Sequence, residues 1–289
     1  MPSPNSSAGI DDTAPRVAEG RYAGLGTRVA SAIVMAVVAL SAIHFNTLAF
    51  GAFVAAGAAV LCWEWVNLCR AGTLAQMPGA LLVAGVLAAL VLAIAGLAAV
   101  ALGVAALTAL AMFAARGRVE IHPLWLAGGA VYIALPTIAL VWLRGGASGE
   151  AVILWLMATV WVTDIAAFFA GRSIGGPRLA PRISPRKTWA GLLGAVGGAA
   201  LFGAAVGAGV GNAPPAGWLA LAGGLLAVVA QMGDLGESWV KRRFGAKDSS
   251  ALIPGHGGLL DRVDGLLAAA VVVAAWQWAS DGGGILAWR

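Results

Sequence analysis

The segment from Ser238 to Asp264 combines residue types that can hold a metal ion and phosphate groups. It mixes carboxylates, cations, one histidine and a Gly-Gly pair, in a chain of which 60% of the residues are apolar and 11% are charged. A charged side chain at membrane depth costs about 2.5–3.5 kcal/mol or more, so a functional role is the default interpretation. The segment therefore predicts a metal and phosphate site at the edge of a membrane domain.

The polar residues of this segment and its lead-in have helical spacing. Four of them recur at i, i+3, i+4 and i+7, on one face of a helix leaving the membrane: Asp234, Glu237, Ser238 and Lys241. Asp261 and Asp264 are three apart at the start of the last apolar run, where a helix N-terminus favours carboxylates. Oxygen ligands without a cysteine or histidine cluster select a hard cation such as Mg²⁺. His256 would donate to a phosphate, transfer a proton, or form a structural hydrogen bond within the Gly-rich turn.

A second candidate site precedes the seventh apolar run. Ser184 stands before Pro185, a pair typical of a helix N-cap and its first turn. The free N–H groups of that helix end, with Arg186, Lys187 and the Thr188 hydroxyl, would form an anion site. A capped helix flanked by cytoplasmic arginines explains the same residues, so both interpretations stay open at this point.

Two acidic residues lie within apolar runs. Asp164 and Arg172 fall along one helical stripe, so the carboxylate either pairs with Arg172 or faces a metal, another partner or water. Glu64 lies between two tryptophans near the predicted cytoplasmic end of its run. We expect it to form a structural ion pair with a loop arginine or to snorkel at the interface, and contact with the site is the alternative.

Nine apolar runs approach or exceed the length of about 20 residues that a helix needs to cross a membrane. They cover residues 29–45, 48–66, 78–95, 97–115, 124–143, 151–170, 189–210, 217–234 and 265–279. Gly96 alone separates the third run from the fourth, so one long bent helix is an alternative there. The sequence therefore predicts an all-α polytopic membrane protein with about nine transmembrane helices.

The positive charges predict the orientation of these helices. Apart from Arg144 and Arg289, every lysine and arginine falls before the first run or after an even-numbered one. The positive-inside rule then places the N-terminus and the two large polar loops in the cytoplasm, and the C-terminus outside. Because this rule accounts for the cations and the net charge of +5, we do not expect a nucleic-acid partner.

Composition divides the chain into a tail and one membrane domain. Residues 1–27 are rich in Ser, Pro, Gly and Asp and predict a disordered cytoplasmic tail without the features of a secretory signal. Residues 28–289 form a single membrane domain, with scaffold helices in 28–143 and a catalytic half in 144–289. Cys62 and Cys69 are expected to be packing residues, and no disulfide framework is implied.

The segment from Ser238 to Asp264 reads S-x-V-K-R-x4-K-D-x-S-x2-I-P-x-H-G-G-L-x-D-R-V-D. It resembles the signature of bacterial phosphatidate cytidylyltransferases, also called CDP-diglyceride synthases. Two upstream elements, Asp164…Gly171-Arg172 and Ile183-Ser184-Pro185-x-Lys187-Thr188-Trp189, fit as well, so the resemblance covers roughly residues 130–275. Ala190 stands where many relatives carry a glutamate, so we assign that position no role.

The resemblance implies that CTP and phosphatidate react to give CDP-diacylglycerol and pyrophosphate, with Mg²⁺ required and a second cation such as K⁺ nearby. A lipid phosphate oxygen would attack the α-phosphorus of CTP in line, and catalysis would be mostly positioning and charge neutralisation. It also implies the bacterial inner membrane as location, membrane lipids as partners and an active site at the cytoplasmic face. A homodimer is compatible with this picture.

The roles implied by the resemblance fall into three sets. The metal ligands would be Asp234 and Asp261. The catalytic residues would be Lys241, which neutralises the triphosphate, His256, which orients or protonates a phosphate, and Asp248 and Asp264, which are further metal ligands or contact the ligands. The substrate-binding residues would be Asp164, Arg172, Ser184, Lys187, Thr188, Ser238, Arg242 and Lys247.

Two other functions stay open as alternatives. A CTP-dependent lipid-alcohol kinase would transfer the γ-phosphate of CTP, and the full match over Ser238–Asp264 disfavours it. An ion-coupled transporter would place carboxylates near mid-membrane, some of them in broken helices. Here nearly all acids gather at the predicted cytoplasmic edge, beside cations suited to a triphosphate.

Overall fold

The computed structural model describes residues 25–69, 77–114, 123–253, 257–280 and 288. Within these ranges the chain forms nine α-helices and one β-hairpin. In chain order they are α1 Leu25–Phe45, α2 Thr47–Leu68, α3 Met77–Ile94, α4 Ala98–Ala114, α5 Pro123–Gly145, α6 Gly149–Ser173, β1 Arg178–Ala180, β2 Ser184–Thr188, α7 Trp189–Gly209, α8 Ala216–Arg243 and α9 Leu260–Ala279. Five of the helices, α2 and α5 to α8, are long and apolar enough to cross a membrane. The prediction of an all-α membrane protein is confirmed, and residues 1–24 of the predicted tail lie outside the described residues.

The third and fourth apolar runs form two separate helices. Gly96 has a φ of 81°, in the left-handed region that glycine enters without a Cβ penalty. Its N–H donates to Ala93 O at 3.0 Å, which closes the turn after α3. The alternative of one long bent helix is therefore wrong.

The segment ahead of α7 is a short β-hairpin. Strand β2 pairs antiparallel with β1, and the N-cap of α7 is Thr188, whose Oγ1 accepts from Gly191 N at 3.0 Å. The prediction that Ser184 caps this helix, with Pro185 in its first turn, is wrong. A proline holds the preceding residue in extended backbone, and an outer strand tolerates the missing N–H.

Small residues bring α6, α7 and α8 into close contact. A Cβ on Gly194 would overlap the side chain of Ala170 in α6, and one on Gly203 would overlap the backbone of Leu219 in α8. Both glycines lie on α7, so α7 packs tightly between its two neighbours. This packing fixes the positions of α6 and α8, which carry Asp164 and Asp234.

Two helices extend beyond their apolar runs and carry polar residues in the added turns. Helix α8 continues past residue 234 to Arg243, and α9 begins at Leu260, ahead of the predicted start at residue 265. The added turns place Glu237, Lys241 and Asp261 on rigid helix.

The two cysteines lie elsewhere in the fold. Cys62 and Cys69 are buried free thiols, so their interpretation as packing residues is confirmed.

Candidate active site

Three carboxylates converge where α8 meets the start of α9. Asp234, Glu237 and Asp264 each offer one oxygen, and these oxygens lie within 4.8 Å of one another. A Cβ on Gly233 would lie 2.7 Å from Asp264 O, so this glycine allows the first turn of α9 to approach α8. The close approach of these two helices therefore brings Asp234 and Asp264 together.

Burial and mutual repulsion both act on the carboxylates of this cluster. Burial, and then the negative charge of Asp234, raise the pKa of Asp264 above its usual range. Glu237 is 1% exposed, and its Oε1 has no hydrogen-bond partner among the residues that the structure describes. Buried carboxylate oxygens of this kind are suitable ligands for a hard divalent cation such as Mg²⁺. These residues therefore fit the predicted metal.

Lys241 joins Glu237 of this cluster to one further carboxylate, that of Asp261. Its Nζ lies 2.6 Å from Glu237 Oε2 and 2.5 Å from Asp261 Oδ1. Asp261 Oδ2 also accepts from the backbone N–H groups of Ser249 and Gly258, each at 2.9 Å. Burial alone would raise the pKa of Asp261, but the bonds from Lys241, Ser249 and Gly258 outweigh it and lower the pKa. Asp261 is thus an ionised carboxylate already held by donors.

Strand β2 contributes a cation to the acidic cluster. Lys187 Nζ lies 2.5 Å from Asp234 Oδ2 and donates to Gln231 Oε1 at 2.8 Å. Ser238 Oγ donates to Asp234 Oδ1 at 3.3 Å. The predicted substrate-binding residues Lys187 and Ser238 therefore both contact a predicted metal ligand.

Glu64 on α2 binds the backbone and side chains that lead into α9. It is fully buried, and its partners are hydrogen-bond donors of the loop before α9 and of the first residues of that helix. The expectation of an ion pair with a loop arginine or a snorkelling carboxylate is wrong. The alternative, contact with the site, is correct, because Glu64 faces inward beneath Ser249 and Ser250.

A cavity of about 980 Å³ begins at the acidic cluster and continues between α1, α2 and α6. Its charged lining consists of Asp164, Asp234, Lys241, Asp248, Asp261, Arg262 and Asp264. Its apolar lining includes Val34, Met35, Val38, Phe53, Met157 and Trp161. One cavity thus joins a charged end to an apolar arm.

Other predicted site residues lie outside this charged end. Arg172, Arg242 and Lys247 are exposed, and Arg242 Nη1 donates to Ala246 O at 2.9 Å. No ion pair joins Asp164 to Arg172 within the described part of the chain. His256 lies outside the described residues, and its role stays a prediction.

Sequence reasoning assigned no role to several residues that the structure places here. Gln231 lies one helical turn before Asp234, a spacing that could have indicated it. Ser249 is within the conspicuous segment, but only its contacts with Glu64 and Asp261 show its importance. Tyr132 has a buried hydroxyl with no partner among the described residues, and no local pattern marks it.

The chain belongs to the cytidylyltransferase family, whose sequence profile matches residues 26–279. It is similar to a phosphatidate cytidylyltransferase of Pseudomonas aeruginosa, with 37% identity over 271 residues, 90% of this chain and 99% of that protein. It is also similar to one of Brucella suis, with 53% identity over 154 residues, 52% of this chain and 55% of that protein. The match therefore spans about half the length of the Brucella relative. The family resemblance found in the sequence is confirmed.

Proposed function

We propose that this chain transfers the cytidylyl group of CTP to phosphatidate and releases pyrophosphate. The observation that carries the proposal is the single cavity that joins the acidic cluster to an apolar arm between α1, α2 and α6. A substrate with a phosphate on a diacylglycerol matches both ends of that cavity. The names of the Pseudomonas and Brucella relatives support the same reaction.

In the proposed reaction an ionised lipid phosphate oxygen forms a bond to the α-phosphorus of CTP. The bond from that phosphorus to the bridging oxygen of the β-phosphate breaks, and pyrophosphate leaves with the electron pair. No general base is needed, because phosphatidate reacts in its ionised form. The protein therefore has to orient the two phosphates and offset their charge.

Asp234 and Asp264 would hold Mg²⁺, with Glu237 beside them. Asp261, the other predicted ligand, lines the same cavity and is kept ionised by Lys241 and two backbone N–H groups. A bound Mg²⁺ would neutralise phosphate charge and align the leaving group. A second cation such as K⁺ stays a prediction.

Cations beside the cluster would bind the substrate phosphates. Lys187 is already directed at Asp234, so a phosphate bound at the metal would meet its ammonium group as well. Arg172, Arg242 and Lys247 are exposed and could reach a triphosphate entering from the cytoplasm. Lys241 would not bind a substrate phosphate, because its ammonium group already pairs with both Glu237 and Asp261.

We also propose nine membrane spans in the bacterial inner membrane, with the N-terminus and the active site on the cytoplasmic side and the C-terminus outside. Large apolar side chains that do not line the cavity are exposed along α1, where lipid would cover them: Val29, Ile33, Val37 and Leu40. The C-terminal end of α1 is held by Arg144, which donates twice to Ile43 O at 2.9 and 2.7 Å. Assembly as a homodimer is part of the same proposal.

The test is the release of radiolabelled pyrophosphate from γ-labelled CTP by detergent-purified protein with phosphatidate and Mg²⁺. Wild type should release pyrophosphate only when phosphatidate is present, and Asp261→Asn and Asp264→Asn should abolish the release. Glu150→Gln removes an exposed carboxylate that pairs with His44 away from the cavity and is the matched control. Label arriving on a lipid alcohol would indicate a kinase. No CTP turnover with any lipid would refute the proposal, and an ion-coupled transporter would be the remaining alternative.

A further inference from the structure

We propose that Glu64 is a positioning residue for the metal site. Its carboxylate would fix the loop before α9 and the first turn of α9, and so set the direction of Asp261 and Asp264. This inference rests on the proposed function, because it concerns the divalent cation of that same site. Neither the family signature nor the acidic cluster includes Glu64.

Four hydrogen bonds converge on the two oxygens of Glu64. Oε1 accepts from Ser250 Oγ at 2.6 Å and from Leu259 N at 2.8 Å. Oε2 accepts from Leu260 N at 2.7 Å and lies 3.2 Å from Ser249 Oγ. A carboxylate with no solvent exposure is stable only when such donors replace its water. Bonds to a charged acceptor are also about twice as strong as neutral ones.

Ser249 connects Glu64 to the acidic site. Its hydroxyl lies between the two carboxylates, 3.2 Å from Glu64 Oε2 and 3.1 Å from Asp261 Oδ2. Its backbone N–H donates to the same Asp261 oxygen at 2.9 Å. A hydroxyl has one proton, so it can donate to only one of the two carboxylates at a time. A change at Glu64 therefore alters the hydrogen bonding of Asp261 through Ser249.

The start of α9 depends on the same carboxylate. Leu259 is the N-cap of α9 and Leu260 is its first residue, and the N-cap side chain makes no capping hydrogen bond. Glu64 takes the place of that cap from α2, since it accepts from both backbone N–H groups. Without it, the first turn of α9 would lose two of its fixed bonds.

Glu64 is itself held rigidly by the scaffold half. The next residue, Trp65, donates from Nε1 to Trp125 O at 2.9 Å, and its ring lies 5.3 Å from that of Tyr132. Both partners belong to α5, so α2 cannot rotate freely about its axis. A residue that orients metal ligands acts best from a rigid element, and outer hydrogen-bond partners of ligands typically change metal affinity 10–100-fold.

The experiment measures Mn²⁺ binding to full-length protein in detergent by the electron paramagnetic resonance signal of free Mn²⁺. Glu64→Gln keeps the size of the side chain but replaces one acceptor oxygen with an NH2 group, which donates and cannot accept. We expect it to weaken Mn²⁺ binding at least about tenfold and to raise the Mg²⁺ concentration for half-maximal pyrophosphate release in parallel. Glu64→Asp, which keeps the charge, should recover part of the affinity, and Glu150→Gln should bind Mn²⁺ as wild type does.

Mn²⁺ affinity within twofold of wild type in folded Glu64→Gln would overturn the inference, even if thermal stability fell. Should that variant not fold, Ser250→Ala removes one of the four donors and keeps the carboxylate. It should weaken Mn²⁺ binding measurably, and unchanged affinity would refute the inference equally. A wild type that binds Mn²⁺ but releases no pyrophosphate would refute the proposed function alone, because the comparison of Mn²⁺ affinities would still decide the role of Glu64.

Discussion

Lys187 on strand β2 and Asp234 on helix α8 form an ion pair, with 2.5 Å between Nζ and Oδ2. This contact joins the basic hairpin to the acidic cluster, two parts of the chain that the sequence shows only as separate motifs. Both side chains are partly exposed, so the pair lies where solvent and substrate can reach it. In this position Lys187 can exchange Asp234 for a substrate phosphate, whereas breaking a fully buried ion pair would cost much more.

Removing the Lys187 charge should impair substrate binding at this junction. We expect Lys187→Met to lower kcat/KM for CTP by at least about tenfold, because a bound phosphate would lose a charge-assisted hydrogen bond. Arg178→Gln on the neighbouring strand is the control, since Arg178 is exposed and donates to Arg186 O. Steady-state pyrophosphate release over a range of CTP concentrations measures the effect. Equal losses in both variants would indicate general disruption of the hairpin.

Lys241 should matter for stability as well as for activity. It lies between Glu237 and Asp261 and is 8% exposed, so Lys241→Met would leave two buried carboxylates without their cation. Breaking a buried ion pair from one side typically costs about 3–5 kcal/mol. We expect a clearly lower midpoint of thermal unfolding in detergent, measured by size-exclusion chromatography after heating.

The double variant Lys241→Met, Glu237→Leu separates charge from packing at the same place. Because it removes one of the unpaired carboxylates, it should recover part of the lost stability while remaining inactive. A single variant Lys241→Met as stable as wild type would contradict the role of Lys241 as a bridge.

The apolar arm of the cavity should determine how lipid chains bind. Met35 on α1 lines the cavity, whereas Ile33 on the same helix is 57% exposed and is not part of its lining. We expect Met35→Trp to raise KM for long-chain phosphatidate severalfold and to leave KM for CTP unchanged, because the larger ring fills the arm. Ile33→Trp should leave both values as in wild type. A Met35→Trp variant that affects CTP and phosphatidate alike would contradict this assignment of the arm.

Much of the fold could be predicted from the sequence, because apolar runs and glycines act locally. The positions of the nine helices in the described part of the chain follow from hydropathy, and helical spacing alone places Asp234 beside Glu237. The predicted N-cap of α7, Ser184, was wrong because Ser-Pro suits both a helix cap and an outer strand. Local sequence cannot decide between these, whereas pairing with β1 does.

The site could be predicted less well, because its contacts join distant segments. Glu64 accepts hydrogen bonds from residues near 250 and 260, and no spacing rule connects positions so far apart. Lys241 was expected to face a triphosphate, but the approach of α9 places Asp261 against its ammonium group. Residue types thus indicated the chemistry, and tertiary packing decided which groups pair.

Substitution of Gly258 should be as damaging as substitution of Glu64, because the loop before α9 leaves no room for a side chain at this position. A Cβ at this position would overlap Ser249 Oγ and lie 2.5 Å from Glu64 Oε1. Gly258→Ala should therefore weaken Mn²⁺ binding and lower pyrophosphate release about tenfold or more, as we expect for Glu64→Gln. Gly236 on α8, next to Glu237, has no heavy atom within 4 Å of an added Cβ and is the matched control.

Gly236→Ala should keep wild-type metal binding and gain slightly in stability, because alanine favours a helix by about 1 kcal/mol over glycine. The comparison tests close packing at the loop against a general effect of adding a methyl group near the site. If both alanine variants bind Mn²⁺ as tightly as wild type, the loop can move away from Glu64 without disturbing Asp261. That result would show that the hydrogen bonds from Ser249 do not make the position of Asp261 depend on that of Glu64.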